Sequence, residues 1–293
     1  MENNKNLMLV LLAGLGTVAA TNVSASVVFS NTAEGAVWSD WSSTTYGPVS
    51  VSGYEGRSAI WSGASGTAYS YVAGTDSGAY SAKAYGASLH FDTSAHLTQS
   101  LVLTNDLGTS ADFSVDFYLH SGLLSAYGDG YGGASYELSI KQGSSTILFS
   151  SAASISNTGA LTQSGTQLSG ASRSGSRYTW NDTVVSANMG TLAAGASTTI
   201  NYDLVVTAFG MYRARSCPMA DGPFGTTVVL SNDTEDGECS SKASFGDPFQ
   251  VNSLLPPVVT VNATGTVPEP VSLGLIGLGL GVLATHRRKN SAA

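Results

Sequence analysis

Four histidines stand in a chain of 293 residues, and His90, His96 and His120 are spaced closely enough to ask whether they bind a metal. If the first of these segments is a strand, His90 and Asp92 share one face, with His96 nearby. Imidazole and carboxylate together suit a transition metal, so His90, Asp92, His96 and His120 form a candidate set. Histidines scattered over such a span also arise by composition, and no metal ligand is assigned. The segment Ser231-Asn232-Asp233-Thr234-Glu235-Asp236-Gly237-Glu238 gathers oxygens suited to calcium. It departs from the EF-hand template, with Thr234 where an acidic ligand belongs and Ala243 where the bidentate Glu should be. A solvated acidic loop is the expectation there.

Catalytic patterns are absent: there is no Gly-x-Ser-x-Gly elbow, no His-Glu-x-x-His and no Cys-x-x-Cys. Asp112 and Asp116, four apart on one strand, would stand about 13 Å from each other, beyond the spacing of a glycosidase pair. Tyr127-Gly128-Asp129-Gly130-Tyr131-Gly132-Gly133 is rich in glycine, yet no Lys-Ser or Lys-Thr and no helix follows it to cradle a phosphate. It reads as a flexible surface loop. No catalytic residue and no cofactor is therefore assigned. Aromatic residues crowd the first part of the body, at Trp38, Trp41, Tyr46, Tyr54, Trp61, Tyr69 and Tyr71. Flat rings stack on sugars, which makes Trp38, Trp41 and Trp61 candidate glycan contacts; the alternative is that the rings fill the core.

The two ends of the chain carry sharper signals. A polar start with Lys5, an apolar run from Leu7 to Ala20 and Val23-Ser24-Ala25 make up a secretory signal peptide over residues 1–25, with cleavage between Ala25 and Ser26. Near the other end, Val267-Pro268-Glu269-Pro270 precedes an uncharged apolar stretch over 271–285 and the basic cluster His286-Arg287-Arg288-Lys289. The prolines hold Glu269 in extended chain, the form in which proteases read substrates. As a helix the apolar stretch spans about 22 Å, short of a bilayer core of about 30 Å. Local thinning and the long side chains of Arg287, Arg288 and Lys289 can make up the difference. Those cations favour the cytoplasmic side, which places the body of the protein outside.

This three-part tail resembles the PEP-CTERM sorting signal of Gram-negative bacteria. The resemblance implies processing by an exosortase, a membrane-embedded cysteine protease or transpeptidase, with Pro268, Glu269 and Pro270 as the recognition residues. A plain C-terminal anchor would need only the apolar segment and its basic flank. A sortase substrate would need Leu-Pro-x-Thr-Gly, and Leu255-Pro256-Pro257 lacks its Thr-Gly. Leu192-Ala193-Ala194-Gly195-Ala196-Ser197 and Gly246-Asp247-Pro248-Phe249 resemble pieces found in ectodomains that bear such tails, which implies a β-sandwich of unspecified ligand.

Residues 26–265 remain as one ectodomain, and residues 266–293 as the sorting segment. The chain is 42% hydrophobic but only 11% charged, with a formal net charge of −8. An acidic body offers no basic face for nucleic acid. Cys217 and Cys239 are the only cysteines. In an exported chain they read as one disulfide, a closure contributing about 3 kcal/mol in the chain-entropy account.

The elements that must position these groups follow from alternation with period two, which sends one set of side chains inward and the other to solvent. Phe113, Val115, Phe117 and Leu119 alternate with Asp112, Ser114, Asp116 and Tyr118. Ile200, Tyr202, Leu204 and Val206 alternate with Thr199, Asn201 and Asp203. Tyr136, Leu138 and Ile140, followed by a turn at Gln142-Gly143-Ser144 and then Thr146-Ile147-Leu148-Phe149, read as a hairpin. Tyr85-Ala87-Leu89-Phe91 and Leu97 to Leu103 read as further strands, with weaker ones at Thr226 to Leu230 and Val258 to Val261. These short strands, punctuated by Gly and Ser, predict an all-β, antiparallel sandwich or jelly roll. The expected function is that of an exported surface or exopolysaccharide-matrix protein, structural or adhesive and not an enzyme. Its expected partners are the Sec translocon, signal peptidase, an exosortase, the inner membrane for a time, and exopolysaccharide. The alternative is a secreted polysaccharide-active hydrolase or lyase, or a glycan-binding module.

Overall fold

The computed structural model describes residues 25–39, 42–51, 55–63, 66–75, 78–88, 90–212, 239–246 and 255–263. Every regular element among them is a strand. In chain order these are β1 (Ser26–Ser39), β2 (Ser42–Val51), β3 (Glu55–Gly63), β4 (Gly66–Gly74), β5 (Tyr80–Ser88) and β6 (His90–Thr104). There follow β7 (Ala111–Leu119), β8 (Gly122–Tyr127), β9 (Gly130–Gln142), β10 (Thr146–Ser156), β11 (Leu161–Gly165) and β12 (Ser172–Ser174). The last are β13 (Arg177–Trp180), β14 (Thr183–Leu192), β15 (Ser197–Tyr212), β16 (Ser240–Phe245) and β17 (Val258–Ala263).

They form two seven-stranded sheets, ordered β11-β10-β9-β15-β6-β1-β2 and β12-β13-β8-β16-β5-β4-β3, and a three-stranded sheet β14-β7-β17. All pairings are antiparallel. Residues from all three sheets meet in one core, an arrangement consistent with a β-sandwich. Its centre is aromatic: the Trp180 ring lies 4.8 Å from Tyr136 and 5.3 Å from Phe245, and Tyr80 lies 4.3 Å from Tyr202. Such offset ring pairs add favourable quadrupole contact to the burial of large apolar area.

The alternating runs fall as the sequence predicts. On β7, Phe113, Val115, Phe117 and Leu119 are buried. On β15, Ile200, Tyr202, Leu204 and Val206 are buried, as are Tyr136, Leu138 and Ile140 on β9. The β9–β10 hairpin closes through Gly143, whose positive φ of 62° suits glycine. Val258 to Val261 lie in β17.

Two readings need correction. Tyr85 and Phe91 do not belong to one strand: Tyr85 is in β5 of the second large sheet and Phe91 in β6 of the first. Tyr85, Ala87, Leu89 and Phe91 alternate in the sequence although β5 is buried on both faces from Tyr80 to Gly86, so the pattern hides the change of sheet. Gly86 makes the passage possible, because a Cβ there would stand 2.0 Å from the Phe91 ring. The glycine run 127–133 is likewise not a loop. Tyr127 ends β8, only Gly128 and Asp129 turn, and Gly130 to Gly133 pair with β15. Glycine is needed at Gly132 for closeness to Tyr212, since an added Cβ would meet the phenol oxygen at 2.2 Å.

Cys239 is buried and carries no free thiol. Its expected partner Cys217 lies outside the described residues. So do the signal peptide up to Ser24, the acidic segment 231–238, the strand expected at 226–230, and the tail with Pro268, Glu269, Pro270, Arg287, Arg288 and Lys289. Among the described residues, no helix is long and apolar enough to cross a membrane.

Candidate functional site

The four central strands of the first sheet, β1, β6, β15 and β9, run side by side for most of their length. Their inward residues make the core, so register alone decides what the outer face shows. Opposite one another there stand Trp38, Asp92, Phe209 and Gly133 in one row. Ala36, Ser94, Thr207 and Ser135 form the next row, and Glu34, His96, Val205 and Glu137 a third. Thr32, Thr98, Asp203 and Ser139 form a fourth.

His96 is the centre of this face. Its Nδ1 lies 2.5 Å from Glu34 Oε1 and its Nε2 lies 3.1 Å from Asp203 Oδ2. A carboxylate beside each ring nitrogen favours the doubly protonated imidazolium, which can donate to both. Burial acts against that charge, but the hydrogen bonds and the charges of Glu34 and Asp203 outweigh it, and the His96 pKa is raised. The clamp ties β1 to β6 to β15. Both ring nitrogens are engaged, and Thr98 Oγ1 is also 3.3 Å from Nε2.

Beyond His96 the face opens into a groove of about 450 Å³ lined by Glu137, Ser139, Lys141, Ser150, Ser164 and Asp203 among others. Toward the other end it becomes aromatic. Trp38 is 49% exposed and Tyr131 65% exposed, and the Tyr131 ring centroid lies 5.2 Å from that of Phe209. The Phe209 ring lies over Gly133, where a Cβ would come within 2.9 Å of it. Between the aromatic end and the groove, Ser135 Oγ and Thr207 Oγ1 share a hydrogen bond of 2.6 Å.

The candidate metal set is divided. His90, Asp92 and His96 do lie on one side of β6, but His120 is buried beyond the end of β7, where its backbone oxygen accepts from Trp180 Nε1. Burial pushes the His120 pKa down, with Asp182 and the backbone of Leu255 acting the other way. Among the described residues, no cluster of three or more His, Cys, Asp or Glu could hold a metal ion. Asp112 and Asp116 are engaged separately on the small sheet, by Thr191 and by Ser186.

Of the candidate glycan contacts, Trp38 stands on the outer face. Trp41 lies outside the described residues, and Trp61 belongs to β3 in the other large sheet. Tyr69 is core, its ring 5.1 Å from that of Tyr85 and 5.1 Å from the Lys83 ammonium. Glu34, Glu137, Lys141, Phe209 and Tyr131 escaped the sequence reading as site residues. Asp203 was legible as outward-facing, but nothing local joined it to His96. In comparisons with known proteins, no family model and no curated protein matches this chain.

Proposed function

We propose that this chain is an exported surface or exopolysaccharide-matrix protein, sorted by an exosortase, with a sandwich or jelly-roll-like ectodomain in a structural or adhesive role. The observation that carries this reading is the tail, in which Pro268-Glu269-Pro270, the uncharged segment 271–285 and Arg287-Arg288-Lys289 follow one another. The described strands fit between the two signals, since β1 begins at Ser26 and β17 ends at Ala263. The Sec translocon carries the chain out, and signal peptidase cuts between Ala25 and Ser26. The 271–285 helix holds the protein in the inner membrane, with its cations on the cytoplasmic side, until the exosortase reads the extended triplet. Outside, Cys217 and Cys239 join in a disulfide.

Mass spectrometry of the mature protein from cells and medium tests this. Expected are an N-terminus at Ser26, a C-terminus cut near 268–270, and a Cys217–Cys239 bridge. Glu269→Ala, or deletion of residues 287–289, should leave the protein in the membrane fraction. Normal delivery of either variant with an intact tail would overturn the reading.

A further inference from the structure

We infer that the outer face of the first sheet binds an extended amino-sugar polymer, with free ammonium groups seated at the Trp38–Asp92–Phe209 row and sugar rings stacked on Phe209 and Tyr131. This deepens the adhesive reading above and rests on it for the setting, a polysaccharide matrix, but not for the chemistry.

The shape is that of a chain-binding surface. From Phe209 to Asp203 the strand runs six residues, about 20 Å at about 3.3 Å per residue, so aromatic end and groove form one path several sugars long. Neighbouring strands lie about 4.8 Å apart, which puts Trp38 about 10 Å from Phe209 with Asp92 between them. The Phe209 ring comes close over Gly133, which has no side chain to displace it, and the Tyr131 ring lies beside it, tilted by 41°. The exposed Tyr131 ring and the half-buried Phe209 ring beside it are aromatic surfaces of the kind that accept the C–H faces of pyranose rings.

The polar groups match the rest of such a ligand. Ser135 and Thr207, and farther along Ser139, Ser150 and Ser164, offer hydroxyls that exchange hydrogen bonds with sugar hydroxyls. Charge selects among glycans. The described ionisable groups on this face are Glu34, Asp92, Glu137 and Asp203 against Lys141, His90 and His96, so the carboxylates outnumber the bases even with both histidines protonated. Asp92, set by register between Trp38 and Phe209, offers a carboxylate to a cation through Coulomb attraction, with aromatic side chains on either side for cation–π contact. Burial raises its pKa, and a bound cation acts against that rise. A uronic-acid polymer meets repulsion on the same surface. An N-acetylated polymer keeps the stacking and loses the ammonium.

The test uses the full-length protein in detergent micelles at mildly acidic pH and low salt. It is titrated calorimetrically with a soluble glucosamine oligomer, the fully N-acetylated oligomer and a uronic-acid oligomer. The glucosamine oligomer should bind, the N-acetylated one about tenfold more weakly, equivalent to about 1.4 kcal/mol, and the uronic acid not at all. Tyr131→Ala and Asp92→Asn, both at exposed positions, should each weaken glucosamine binding at least about fivefold with an unchanged thermal midpoint, Asp92→Asn having little effect on the N-acetylated oligomer. The inference is overturned by no binding of the glucosamine oligomer, by equal binding of all three, or by binding that neither variant alters. Binding in micelles is independent of tail processing. Failed sorting with intact binding would therefore sink only the delivery reading, and normal sorting without binding only this one.

Discussion

Leu97 and His96 are consecutive on β6, yet Leu97 is sealed between the sheets while His96 is clamped by two carboxylates on the outside. The same contrast runs along β15, where Leu204 and Val206 pack inward and Asp203 and Phe209 face out. Each face of the first sheet thus does one job. The inner face supplies the apolar and aromatic area that holds the fold, and the outer face, apart from the His96 clamp and the Ser135–Thr207 hydrogen bond, supplies polar and aromatic groups open to solvent. Substitutions on the two faces should therefore separate effects on stability from effects on binding.

The largest effect is expected at the centre of the core. Trp180→Ala removes a ring packed on Tyr136, Tyr178 and Phe245 and a hydrogen bond to His120, and should cost about 3–5 kcal/mol in urea unfolding. A loss below about 1 kcal/mol would mean that the core shared by the sheets is not what stabilises the fold. Next comes Gly86→Ala, which drives a methyl into the Phe91 ring and should cost about 1–3 kcal/mol. Gln99→Ala should be similar, at about 1–3 kcal/mol, because it leaves the buried Asn31 Oδ1 and Gly78 O without their donor.

The two described, pKa-shifted histidines sharpen the contrast through pH. His96 has a folded pKa raised above its ordinary 6.5, so the stability it contributes is full below 6.5 and is lost as pH rises through the folded value. His120 has a folded pKa lowered below 6.5, so the unfolded chain takes up its proton first and stability falls as pH drops below 6.5. In His96→Gln the decline on the alkaline side should flatten, while the acid-side decline persists. The amplitude of the His96 effect should stay below about 1 kcal/mol, because Glu34 and Asp203 are nearly half exposed. An unchanged alkaline slope in that variant would show that the clamp does not hold in solution. Smallest of all, Tyr131→Ala should shift stability by no more than about 0.5 kcal/mol, and a larger loss would mean that the outer face also carries the fold.

Much of the core is legible from the sequence. Phe113 to Leu119 and Ile200 to Val206 alternate so regularly that their buried sides could be named without coordinates. Less legible were places where alternation continues through a change of sheet, as from Tyr85 to Phe91, or where glycine serves packing and not turning, as at Gly132 and Gly133. In both cases the deciding contact is with a ring far along the chain or on another strand. The site was legible only in fragments. Trp38 stands out by its type and His96 by its neighbours, but the glycines around Tyr131 point to a loop and the structure has a strand there.

Alternation specifies which side of a strand a residue occupies, because consecutive side chains on a pleated backbone point to opposite faces. That is a local property, and it already placed Asp203 outward. Whether Asp203 meets His96 depends on β6 pairing with β15 in one register, across 107 residues of chain, and Glu34 reaches the same ring across 62. No local preference chooses among the many strands that could stand beside β6. The choice falls to the order that buries the shared core best, and the outer face takes its composition from that choice.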